Sequence, residues 1–151
     1  MNWDAIGAVG EIVGALAVFI TLAYLAVQVK LTNGISKFNT AKDIMASFDN
    51  LNKMVISDPS LRAALNKKSD LTNDDNELLY TFANMWGNTW TNIQHAHDNG
   101  LVDEEFYRAG VRGVPLELQR WARFEGAFLL WLERYPEFKE YEIFSQVLDG
   151  A

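Results

Sequence analysis

The sequence predicts an all-α chain: one N-terminal transmembrane helix followed by a small cytoplasmic helical bundle. Three observations carry this. Residues 12–29 hold no charged side chain, within a longer apolar run from Ala5 to Val29 whose sole charge is Glu11. Beyond that run, apolar residues recur three and four apart, the period of an amphipathic helix. No segment reads convincingly as a strand with a period of two. The 151 residues therefore divide into an anchor over 1–33 and a helical domain over 34–151.

The anchor comes first. As a helix, its 25 residues rise about 37 Å, enough to cross a hydrocarbon core of about 30 Å. A domain this small has no core able to enclose such a helix on every side. A cleaved signal peptide would begin with a positive segment, whereas this chain begins MNWD. The run reads as an uncleaved anchor. Lys30, Lys37 and Lys42 follow it and only Asp4 precedes it. The positive-inside rule then leaves the N-terminus outside and the C-terminal domain in the cytoplasm, with Trp3 as an interfacial anchor.

Turning about 100° per residue, the anchor gathers Gly7, Gly10, Glu11, Gly14, Thr21 and Gln28 within roughly 100° of arc. Val9, Ile12, Val13, Leu16, Phe19, Ile20, Ala23 and Val27 cover the opposite face, suited to lipid. Gly7, Gly10, Gly14, Ala17 and Thr21 also alternate spacings of three and four, the seam of a left-handed helix pair, and Gly10 and Gly14 form a GxxxG. Small residues let backbones approach, and packing drives association in lipid. These five residues are the expected oligomer interface. An ionisable group about 9 Å inside the span is costly. Glu11 either caps a frayed helix start or hydrogen-bonds across an oligomer while partly hydrated, binds a proton, or forms a carboxylate ring at a cation-selective pore mouth with Thr21 and Gln28 below it.

After the anchor, Gly34 permits a bend. Ser36 to Ile56 places Phe38, Ala41, Ile44 or Met45, Phe48, Leu51 and Val55 on one stripe. Asp58-Pro59 stops that helix and starts another, Ser60 to Lys68, because Asp caps a helix start and Pro fits its first turn. Thr72 and Asp75 have capping-box spacing and open a helix over 73–98 with an apolar face of Leu78, Leu79, Phe82, Met85, Trp86, Trp90 and Ile93. Gly100 ends it in a left-handed conformation. Asp103 caps a helix reaching about Val111, and Gly113-Val114-Pro115 is expected to break the chain. A further helix is expected from Leu116 to Tyr135. Pro136 interrupts it, and a last helix is expected over Glu137 to Leu148.

Charge and composition narrow the chemistry. The formal net charge is -7, the wrong sign for nucleic-acid binding. The chain has 0 Cys, which excludes disulfides, thiolate metal sites and cysteine catalysis. Its 2 histidines, His95 and His97, lie two apart on a helix and so point about 200° away from one another, too divergent to share an ion. Between Asp70 and Glu105 there are eight acidic residues and no Lys or Arg, without the ligand spacing of a calcium loop. Glu117 and Glu125 are a weak carboxylate pair. The aromatic stripes fit core packing, with an aromatic-lined pocket between helices as the alternative. No metal, cofactor or catalytic residue is expected.

The opening MNWDAIGAVGEIVGALAVFITLAYLAVQVK, then DPSLRAALNKK, then NGLVDEEFY, resembles a widespread group of short bacterial membrane proteins with no assigned activity. Its members begin with a Trp-x-Ala-Ile-x-x-Ile-Gly-Glu-type span. An Asp-Pro-x-Leu helix, a long helix and a Gly-Leu-Leu-Asp-Glu-Glu turn follow. The chain departs from that pattern after Arg112. The resemblance implies a helical protein anchored in the bacterial inner membrane and adds no catalytic residues.

The expected function is thus non-enzymatic: a single-pass membrane protein that meets lipid and a second copy of itself through the Gly-rich face. An oligomeric cation-selective channel with Glu11 at its mouth is one alternative. An accessory subunit docking on other membrane subunits is another.

Overall fold

The structure is a computed structural model that describes residues 2–148, apart from the side chains of Asp4 and Ala5. The flank charge assigned to Asp4 and the start of the apolar run at Ala5 thus lie outside the described side chains. Six α-helices appear among the described residues, with no strand: α1 (Trp3–Ser57), α2 (Pro59–Leu65), α3 (Asn73–Asp98), α4 (Glu104–Gln119), α5 (Phe124–Arg134) and α6 (Ser145–Leu148). Two 3₁₀ turns, Pro136–Glu140 and Glu142–Phe144, join α5 to α6. The chain is all-α. It divides into two compact units, Met1–Lys37 and Phe38–Ala151.

The first unit is helix throughout its described length after Asn2, and its described side chains are exposed. α1 is the one described helix long and apolar enough to cross a membrane, with an 18-residue window of mean hydropathy 2.3 and no buried residue in it. Helical geometry also persists through Gly34, where the sequence permits a break or bend. One glycine costs a helix interior only about 1 kcal/mol, too little to stop one that is propagating on both sides.

In the second unit, α3 is the central helix and packs on α2, α4 and α5. Ile44, Leu51 and Val55 from the last part of α1 are buried, with Leu79, Phe82, Trp86, Trp90 and Ile93 of α3 and Phe124, Phe128, Trp131 and Leu132 of α5. Aromatic rings dominate this core. Trp90 lies 4.9 Å from Trp86 and 5.2 Å from Phe128, centroid to centroid, the second pair edge-on. Such offset geometries suit ring quadrupoles better than face-to-face stacks.

The local start and stop signals act as their chemistry dictates. Asp58 accepts from the Ser60 and Leu61 backbone N–H groups at the start of α2. Thr72 Oγ1 accepts from Asp75 N–H at 3.2 Å while an Asp75 carboxylate oxygen accepts from Thr72 N–H at 2.8 Å, a reciprocal capping box. After α3, Gly100 takes φ +65, Leu101 N–H reaches the Ala96 carbonyl and Gly100 N–H that of His97. This is a Schellman closure, which needs a left-handed residue and so favours glycine.

Asp75 also pairs with Lys67. The Lys67 ammonium, then the Thr72 hydroxyl and N–H, lower its pKa to about 2. A carboxyl held lower in the folded state stabilises above its unfolded pKa of about 3.9 and loses that contribution as pH falls through about 2. Asp75→Asn should therefore flatten the fall in stability between pH about 4 and about 2, measured by denaturant unfolding in detergent at several pH values. An acid limb identical to that of the native chain would refute this.

Three expectations fail beyond Val111. α4 does not end there: it runs through Gly113-Val114-Pro115 to Gln119. Pro115 forfeits a helical hydrogen bond, a cost of about 3 kcal/mol. Val114 and Leu118 on either side are buried, and burying each contributes about 2 kcal/mol. The expected helix from Leu116 to Tyr135 is instead split at 120–123. There Arg123 N–H bonds the Leu65 carbonyl, and its guanidinium reaches the carbonyls of Lys67 and Ser69 at 2.8 and 3.0 Å. Of the helix expected over Glu137 to Leu148 only Ser145–Leu148 is α-helical; 3₁₀ turns precede it, and there Ile143 N–H bonds Gln94 Oε1 at 3.3 Å.

Candidate functional site

The apolar N-terminal part of α1 carries the residues singled out by sequence. Gly7, Gly10 and Gly14 border open space: a Cβ built on any of them meets no atom within 4 Å. Their lack of side chains thus serves no contact within the chain. Thr21 Oγ1 donates to the Ala17 carbonyl at 2.8 Å, so its hydroxyl hydrogen is satisfied within the helix. Gln28 Nε2 donates to the Tyr24 hydroxyl at 2.9 Å, one turn back. These internal bonds lower the cost of placing polar side chains in lipid. Glu11, Thr21 and Gln28 share one flank of one helix, and a single copy encloses no path between them.

The second unit holds a slot between the end of α1, α3 and α4, with a volume of about 280 Å³. Phe48, Trp86, Trp90, Ile93 and Phe106 line it, and Glu117 stands in its wall. Ala109, Gly110 and Gly113 line it on the α4 side. Trp86 Nε1 is buried with no hydrogen-bond partner. Glu117 bonds Arg120 at 3.3 Å, whereas Glu125 lines a separate cleft with Gln119 and Gln146. The two carboxylates thus belong to different surroundings.

His95 and His97 diverge. His97 stacks on Tyr107 at 4.0 Å and its Nε2 lies 3.0 Å from Glu104. His95 meets the edge of Tyr141. Arg108, then His97, hold the Glu104 carboxyl below the usual range. Among the described residues no three His, Asp or Glu side chains converge as a metal site.

Sequence reasoning missed Gln94, which ties three elements together. Its Oε1 accepts from the Tyr107 hydroxyl at 2.6 Å and from Ile143 N–H, and its Nε2 donates to Asp98 at 2.9 Å. Burial, reinforced by the charge of Glu142, pushes the Tyr107 hydroxyl up to about 12. Nothing in the local sequence marks this glutamine, because the partners of its Oε1 lie 13 and 49 positions away.

No protein-family model, curated protein or solved structure matches this chain.

Proposed function

We propose that this chain is a non-enzymatic, single-pass protein of the bacterial inner membrane. It assembles with copies of itself through Gly7, Gly10, Gly14, Ala17 and Thr21, its N-terminus outside and its helical unit in the cytoplasm. The observation that carries this reading is the open space beside Gly7, Gly10 and Gly14 on the flank where the polar residues gather. Glycine in a helix interior costs stability, about 1 kcal/mol each relative to alanine. Three on one flank, with nothing of their own chain to accommodate, suit a backbone arriving from another molecule. Thr21 adds little bulk there, and its bond to Ala17 leaves that close approach free of an unpaired hydroxyl hydrogen.

Mass measurement in detergent tests the proposal. The native chain should run as an oligomer, and Gly10→Leu with Gly14→Leu should return it to monomer by displacing the facing backbone. A native chain that is strictly monomeric, or an oligomer unchanged by both leucines, would sink it.

A further inference from the structure

We infer that the contact between copies continues beyond the lipid as a short parallel coiled coil through Leu31, Ile35 and Phe38. This inference rests on the preceding reading, that two copies meet along Gly7 to Thr21. The alternation of three and four that runs through Gly7, Gly10, Gly14, Ala17 and Thr21 does not stop there. It passes without a slip through Tyr24, Gln28, Leu31, Ile35 and Phe38.

The second observation is independent of the small residues. Residues 30–39 read KLTNGISKFN, and their three large apolar side chains all fall on that register. They are exposed by 57% (Leu31), 61% (Ile35) and 70% (Phe38), with nothing of their own chain covering them. Side-chain size changes where the surroundings change. From Gly7 to Thr21 the seam is Gly, Ala and Thr, since close packing drives association in lipid, and Tyr24 and Gln28, bonded to one another, follow before Lys30. Past Lys30 it is Leu, Ile and Phe, since in water the burial of apolar area drives association.

A second copy is the occupant that fits. Two copies inserted with the same topology present the same residue at the same depth, so the stripe meets itself in register. The positions flanking the seam are Thr32, Gly34, Asn39 and Ala41, all uncharged, while Lys30 and Lys37 lie off it. Two chains of net charge -7 can therefore approach here without opposing like charges. The next seam position is Lys42, where like charges would face one another and the stripe ends. An ideal straight helix drifts by about 20° per heptad from a seam of this period, so the pair winds into a left-handed supercoil.

The absence of cysteine makes the test direct. Single substitutions Leu31→Cys, Ile35→Cys, Phe38→Cys, Asn33→Cys and Lys37→Cys are oxidised in the full-length chain in membranes, with Ala17→Cys as the probe of the intramembrane seam. A disulfide needs Cβ atoms about 4 Å apart, so only facing positions link efficiently. Covalent dimer should form several-fold more at 31, 35 and 38 than at 33 and 37. Equal yields at all five positions, or a maximum at 33 or 37, would overturn the coil. Dimer at Ala17→Cys with none at 31, 35 and 38 would assign the stripe to lipid headgroups and leave the intramembrane seam standing. Absence of dimer at every position would remove both.

Discussion

Gly87→Ala should destabilise the helical unit by about 1 kcal/mol, although alanine is the better helix former. Two effects oppose one another. Replacing a mid-helix glycine by alanine gains about 1 kcal/mol in propensity. The new Cβ would meet three ring atoms of Trp131 at 2.5, 2.6 and 2.7 Å, well inside contact distance. Overpacking a core costs about 1–3 kcal/mol, and this ring cannot simply rotate away. Its Nε1 donates to Asn84 Oδ1 at 2.9 Å, and its faces stack against Phe128 and Phe138. Overpacking should therefore win. Denaturant unfolding of the detergent-solubilised chain measures the loss. A Trp131→Phe background, with its smaller ring, should recover at least half of the penalty on Gly87→Ala. An alanine variant as stable as the native chain would show that the ring does not press on Gly87.

Gln94→Leu should cost about 3 kcal/mol. The leucine preserves bulk but leaves the Tyr107 hydroxyl and Ile143 N–H without their acceptor, both in buried surroundings. An unpaired buried polar group costs about 1–3 kcal/mol. Tyr107→Phe alone should cost about 1 kcal/mol, because Gln94 keeps its bonds to Ile143 and Asp98. The double variant should then lose less than the sum of the two, since removing both partners leaves fewer orphaned groups. Strict additivity in that cycle, measured by the same unfolding, would show that the bond contributes no coupling.

The candidate interface was legible in sequence because it depends on one variable, the angle around a single helix. Gly7, Gly10, Gly14, Ala17 and Thr21 could be placed with no knowledge of neighbours. The aromatic slot was legible only as an alternative: Trp86 and Trp90 announce a core by their spacing, but the void beside them arises where Ala109, Gly110 and Gly113 of α4 pass over α3. That juxtaposition involves residues more than ten positions apart.

By itself the sequence determined several features whose cause lies within a turn or two of chain. These are the uncharged run after Glu11, the Asp58-Pro59 restart, the Thr72–Asp75 box that opens α3 and the Gly100 closure that ends it. Each is a contest among neighbours, decided by capping, charge or backbone freedom. The tertiary structure alone decided what happens where two local signals conflict or a distant group intervenes. Pro115 stays inside α4 while Val114 and Leu118 are buried, and the helix after it stops where Arg123 turns to carbonyls 54 to 56 positions back. Most of the last segment forms 3₁₀ turns, where Ile143 N–H bonds the distant Gln94. A propensity of a few tenths of a kcal/mol per residue cannot resist a buried aromatic side chain or a satisfied buried hydrogen bond, each worth a kcal/mol or more, and those arise only once the chain has folded back on itself.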